Sequence, residues 1–255
     1  MPVDDDDTRP LTRRERLRRQ TVDEIVQRAL ELVDVEGAHG LSLASVGKAV
    51  GMTPPALYHY FASREALLDA LVTAGYTDLG TAVETAAREA ADRPARDRLG
   101  AIAHAWRRWA LDHPRRYSML FTGSRRATVD PLESVSTISQ SMLALVTTLQ
   151  AIGADAASPT DGVGAGAGAG HEPGAGEGSG LHARSDVDPE LARWGQSLGT
   201  PTAAPATLQL ALSTWYRVHG LVSLEIVGAF DTMGLDGERL LAAEVDGLVR
   251  EAARA

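Results

Sequence analysis

No cysteine occurs in the 255 residues. That excludes disulfide frameworks, cysteine-ligated zinc and a cysteine nucleophile, and it suits a reducing compartment. No run of about 18 apolar residues appears, so nothing is expected to span a membrane. The opening MPVDDDDTRP has neither a basic n-region nor an apolar h-region; no signal peptide is expected, and the cytoplasm is the default expectation. Enzyme constellations are missing as well. The seven histidines, His39, His59, His104, His113, His171, His182 and His219, include no pair three or four residues apart. There is no H-E-x-x-H helix, no G-x-S-x-G elbow and no Walker loop. The GAGAGAG stretch follows no strand and continues as linker, so it is not read as a phosphate loop. No catalytic residue, metal ligand or cofactor is expected.

Aromatics are also scarce, at 5%. The chain is instead rich in Ala and Leu, with long segments of period 3.6, and the expected fold is all-α. The net charge of −9 argues against indiscriminate nucleic-acid binding, yet the charge is unevenly placed. Between Thr8 and Arg64 nine basic residues face six acidic ones, leaving +3, with the excess ahead of Thr21. A locally basic, globally acidic chain suits a protein that touches DNA at one end.

The most telling stretch is residues 41–61, LSLASVGKAVGMTPPALYHYF. Val46, Val50, Leu57 and Phe61 supply the apolar positions of two short helices. Gly51 sits at the turn between them, where a left-handed backbone is needed. Ser42 is placed to cap the first helix. Thr53 is placed to cap the second, whose first turn takes Pro54 and Pro55. Two helices on one tight turn read as a helix-turn-helix, the motif that lays its second helix in the major groove.

Residues 1–20 read as a flexible arm, acidic from Asp4 to Asp7 and then Arg-rich. Residues 21–66 read as the DNA-binding domain, and residues 67–255 as a helical ligand-binding and dimerisation body. Thr21 with Glu24 forms a capping box that starts the first helix, although Thr12 with Glu15 offers an earlier one. Ser63 caps a fourth helix, which reaches about Asp92. Further helices are expected from Pro94 to Asp112, from Pro131 to Ala151, from Ala206 to Phe230 and after Gly237. Residues 153–205 are a flexible insertion: 153–180 is a Gly/Ala/Pro low-complexity segment, and 181–205 holds a turn or two of helix around Leu191 to Leu198.

The block from Thr21 to Leu71, with its LSLASVGKAVG and PPALYHYFASREALLDAL, resembles the DNA-binding domain of the TetR/AcrR family of transcriptional repressors. The C-terminal TWYRVHGLVSLEIVGAF is similar to a subgroup of that family with a Trp–His–Gly signature, here Trp215, His219 and Gly220. The resemblance implies that Ser42 touches a phosphate and that Thr53, Pro54, Pro55, Tyr58 and His59 face the groove. It also implies that Arg64 clamps a phosphate from the fourth helix. Ala44 departs from the pattern, since the family often has a basic residue there. Gly47 replaces the usual Ala, loosening its helix by about 1 kcal/mol. By helix face alone, Tyr60 suits core and groove equally. Arg13 to Arg19 suit a solvated helix start or a DNA-contacting arm.

In the body, Leu208, Leu212, Trp215, Val222 and Ile226 form a stripe that Leu221, Leu224 and Val227 broaden, and Leu240, Leu241, Val245, Leu248 and Val249 follow on the last helix. An arc this wide is expected to face both its own core and a second copy, giving a homodimer. Trp106, Trp109, Phe121, Met142, Trp215 and His219 are the candidates to line a site for an apolar or aromatic effector. The expected function is a homodimeric repressor that binds double-stranded DNA at a palindromic operator and is released by a small molecule. The alternatives are a dimeric architectural DNA-binding protein without an effector, and an enzyme with an accessory DNA-binding domain.

Overall fold

The computed structural model describes residues 12–122, 131–157 and 187–254, and every described element is helical. The acidic run at Asp4 to Asp7 and most of the low-complexity segment lie outside the described residues. Within them, no helix is long and apolar enough to cross a membrane. The chain divides into two compact units. Among the described residues, the first takes 12–79, 109–122 and 131–137, and the second takes 80–108, 138–157 and 187–254. In this division the fourth helix up to Leu79 and the described residues after Trp109 group with the helix-turn-helix.

In the first unit, α1 (Arg13–Glu36) begins eight residues before the Thr21 expected from sequence. The earlier capping box is the one that forms. The Thr12 hydroxyl accepts from the Glu15 amide at 3.3 Å, and the Glu15 carboxylate accepts from the Thr12 amide at 2.7 Å. Thr21 lies inside the helix and donates its hydroxyl to the Leu17 carbonyl. The part of the expected arm from Arg13 to Gln20 is thus helical. Ile25, Val26, Ala29, Leu30 and Val33 form the buried stripe of α1, at the spacing an amphipathic helix requires.

A 3-10 turn at Ala38–Gly40 leads into α2 (Leu43–Ala49), which is followed by α3 (Pro54–Tyr58) and α4 (Arg64–Glu89). Gly51 adopts φ +69° between α2 and α3, as its place in the turn requires. A Cβ on Gly47 would stand 3.0 Å from the Met52 carbonyl oxygen. Glycine therefore lets the turn close against α2, and the helix-forming gain of alanine there is opposed by that contact.

The chain does not simply stop at Pro114 after α5 (Ala95–Asp112). Proline supplies the first residue of a new helix, α6 (Pro114–Thr122), because its missing N–H has no partner to lose at that position. Next, α7 (Pro131–Ala157) extends past the expected end at Ala151, so residues 153–157 are helical. The second unit adds α8 (Asp188–Ser197), α9 (Pro205–Ile226), α10 (Ala229–Met233) and α11 (Gly237–Ala252). The single helix expected from Ala206 to Phe230 is broken at Gly228, whose φ of +74° is left-handed. The core of this unit includes Leu99, Ile102, Leu149, Leu208, Leu241 and Leu248, each nearly devoid of solvent contact.

Candidate nucleic-acid interface

The reader elements are held from beneath. Leu57 on α3 is fully buried and Phe61 just after it is nearly so, together with Leu41, Leu43 and Val46 around α2. Because consecutive helical residues are turned by about 100°, anchoring Leu57 leaves its neighbours outward. Thr53, Pro54, Pro55, Tyr58 and His59 are all exposed, and Tyr58 retains 56% of its accessible surface. Ser42 is exposed at the start of α2. The residues expected from the sequence to face the groove are thus exposed on one segment around the buried Leu57.

The caps differ in detail from those expected. Ser42 and Ser45 cap α2 reciprocally: the Ser42 hydroxyl accepts from the Ser45 amide, and the Ser45 hydroxyl accepts from the Ser42 amide, each at 3.0 Å. Such a box stabilises a helix start by about 1 kcal/mol. The spacing S-x-x-S was the available signal for Ser45. Thr53, in contrast, makes no side-chain cap bond. Proline occupies the first two positions of α3, so those residues carry no N–H that needs a cap. At α4, the Ser63 hydroxyl accepts from the Ala66 amide.

Arg64 is half-buried and tied to the approach to α2. Its Nε donates to the Leu41 carbonyl at 2.7 Å, and its Nη2 donates to the Ala38 carbonyl at 2.9 Å and the His39 carbonyl at 3.4 Å. One edge of the guanidinium therefore fastens the start of α4 to the turn before α2. Nη1 makes no hydrogen bond to a described residue. Arg18 plays a comparable part on α1: its Nη2 donates to the His59 carbonyl at 3.3 Å, and its guanidinium lies 5.4 Å from the centre of the Tyr60 ring. Tyr60 is half-buried, under an arginine, so it belongs to neither the dry core nor the open face.

Sequence reasoning missed an ionic cluster in the same unit. Arg116 of α6 is buried and forks onto Asp34 of α1, Nε to Oδ1 at 2.8 Å and Nη2 to Oδ2 at 2.6 Å. Its Nη1 reaches Asp78 of α4 at 3.3 Å, and the Trp109 indole N–H donates to the same carboxylate oxygen at 3.1 Å. Arg115 donates to the Asp34 carbonyl. Four helices thus share one set of charge-assisted bonds. The partners lie up to 82 residues apart, and no local spacing signals them.

The six candidate effector residues fall in different units. Trp109 and Phe121 belong to the first, while Trp106, Met142, Trp215 and His219 belong to the second. Phe121 stands edge-on to Tyr76 and tilted against Tyr117, with ring centres 5.7 and 4.7 Å away. Trp106 and Met142 are buried. Trp215 and His219 stack one turn apart, with ring centres 5.8 Å apart and planes 10° from parallel. Burial pushes the His219 imidazole below its ordinary value of 6.5. As pH falls through 6.5, the unfolded chain takes up a proton that the folded chain resists, so stability declines in that window. Urea midpoints at pH 7.5 and 5.5 should show a smaller decline for His219→Gln than for the wild type. Equal declines would remove His219 as a contributor.

Residues 99–248 match the family described as tetracyclin repressor-like, C-terminal domain, and residues 25–71 match bacterial regulatory proteins, tetR family. The chain belongs to the TetR family. It is a DNA-binding transcriptional regulator and not an enzyme. Trp215, His219 and Gly220 lie within the C-terminal match. The chain is 37% identical over 91 residues to the HTH-type transcriptional regulator Rv1816 of Mycobacterium tuberculosis, an alignment covering 36% of this chain and 38% of that protein. It is 32% identical to SCO4313, whose crystal structure it resembles with a TM-score of 0.65 over 93% of this chain and 98% of that one. A protein from Rhodococcus sp. RHA1 shares the fold at 22% identity, with a TM-score of 0.62 over 97% and 98% of the two chains.

Proposed function

We propose that this TetR-family regulator is a homodimeric repressor that binds a palindromic operator and is released from it by a small apolar or aromatic molecule. The observation that carries the DNA reading is the exposed set Thr53, Pro54, Pro55, Tyr58 and His59 around a fully buried Leu57. In it, Thr53, Tyr58 and His59 read the major groove and Pro54 and Pro55 shape the approach. Ser42 and the Nη1 edge of Arg64 take backbone phosphates.

Dimerisation is supported by α9. Leu212, Tyr216 and Leu224, with Val227 at the C-cap, keep 40, 54, 49 and 74% of their accessible surface and fall within an arc of about 120°. An apolar stripe of that kind marks an interaction surface, and a second copy of the same stripe completes it. Trp106, Met142, Trp215 and His219 are the candidates for the effector within the second unit. Trp109 and Phe121 are occupied with Asp78 and with Tyr76 and Tyr117.

Selection of bound duplexes from a random pool with the full chain tests this reading. Two copies related by a two-fold axis require two related half-sites on one face of the DNA. The selected sequences are expected to show dyad symmetry. Tight binding to a site with no dyad would count against the dimeric reader. Screening apolar and aromatic compounds for release from the selected duplex then tests the effector.

A further inference from the structure

The first two turns of α1 precede residues 25–71, which match the family, and of these turns the reader described above uses Arg18 alone. They carry Arg13, Arg14, Arg16, Arg18 and Arg19 against a single carboxylate, Glu15. Glu15 is committed to the helix start: its bonds from Thr12 hold its carboxyl below the usual range. All five arginines are exposed, and Arg13, Arg14, Arg16 and Arg19 form no ion pair with a described residue. The stripe that is core at Ile25 and Ala29 continues towards the N-terminus as Arg18 and Arg14, four residues apart on one face. Arg18 fixes where that end lies, since it bonds the His59 carbonyl and covers Tyr60 at the end of the recognition helix. Arg14 is four residues further, about 6 Å along the axis. That step is within the Debye length of about 8 Å at physiological salt, so the cluster shares the field of whatever α3 binds.

We infer that the first two turns of α1 are a second DNA-contacting surface, on which Arg13, Arg14, Arg16 and Arg19 take backbone phosphates of the duplex flanking the half-site read by α3. The inference rests on the DNA reading above. Charge selects the occupant, because four guanidiniums that form no ion pair among the described residues stand next to the recognition helix and complement a polyanion. Leu17 is the exposed apolar residue among them, and one leucine does not supply the apolar centre that protein interfaces have. The arginines point in several directions around the helix, as their spacing of one to three residues dictates, which suits phosphates rather than base edges. Arg18 acts here as a positioning residue that holds the helix start beside α3.

The test uses the full chain with Arg13, Arg14, Arg16 and Arg19 changed together to Gln, and a matching set changed to Lys. Both replacements keep helix propensity near that of Arg, and Arg18 is left in place. The probes are the duplex selected by the wild type, with long flanks and trimmed at the outer ends of the half-sites, and an unrelated duplex. On long flanks, the dependence of log K on log salt should be shallower for the Gln set by roughly 2–4 per protomer, about 0.9 for each phosphate lost. The Lys set should keep the wild-type slope, and trimming should narrow the gap between wild type and the Gln set. The unrelated duplex should lose affinity for the Gln set as well. A Gln set with wild-type helix content, slope and affinity on long flanks would overturn the inference and leave the DNA reading standing. So would a Lys set that fails as badly as the Gln set, because the arginines would then act through structure rather than charge. A wild type that binds no duplex at all would remove the DNA reading and this surface with it.

Discussion

Changing Leu212 and Val227 together to glutamate is expected to leave the helices intact, to abolish self-association and to weaken operator binding by about a thousandfold or more. Both side chains are well exposed in the single chain, at 40 and 74%, so a carboxylate there meets water and folding loses little. In a two-fold interface each substitution is met by its own copy, and four carboxylates would have to be desolvated together, which costs several kcal/mol per buried ion. A monomer holds one half-site at a time. Its affinity should fall towards the nonspecific range, about 10³–10⁷ below that of a specific complex. Sedimentation equilibrium reads the assembly, and titration of the selected duplex at fixed salt reads the binding. A double variant that sediments like the wild type would show that this stripe of α9 is not the contact between copies.

Arg116→Met should cost about 3 kcal/mol of stability. Breaking a buried ion pair by removing one partner typically costs 3–5 kcal/mol, because the other charge is left without compensation. The low end applies here, since the Asp34 and Asp78 side chains are 28 and 48% exposed and water reaches both once the arginine is gone. Methionine fills most of the volume, which separates loss of charge from loss of packing. Adding Asp34→Asn should recover part of the loss, because the orphaned carboxylate is then absent. Urea unfolding of the wild type, the single and the double variant measures both steps. A single variant within about 0.5 kcal/mol of wild type, the usual range for a surface change, would mean that the fork does not hold α1 to α4 and α6.

The sequence by itself determined the helical class and the reader. Local signals sufficed because each concerns groups within a turn of one another: the Leu57 and Phe61 spacing that turns Tyr58 and His59 outward, Gly51 at the left-handed turn, and Ser42 and Ser63 as caps. Where two local signals competed, the sequence left the choice open. Thr12 and Thr21 both head plausible capping boxes, and the structure selects Thr12, which gives the five arginines a helix to stand on. Pro114 illustrates the same ambiguity, since proline ends one helix and opens the next.

Tertiary structure alone decided what depends on residues far apart in the chain. Arg64 reads from sequence as a phosphate clamp, but its forked geometry also meets three carbonyls more than twenty residues away. Asp34, Asp78, Trp109 and Arg116 come from four helices, and only packing turns separate charges into one cluster. The stripe on α9 is a mixed case. Its apolar breadth was legible from spacing, but burial was needed to sort Leu208 and Val222, which fill the core, from Leu212 and Val227, which do not. The reason is geometric: helical period places a side chain on a face, and only the arrangement of neighbouring helices decides what that face meets.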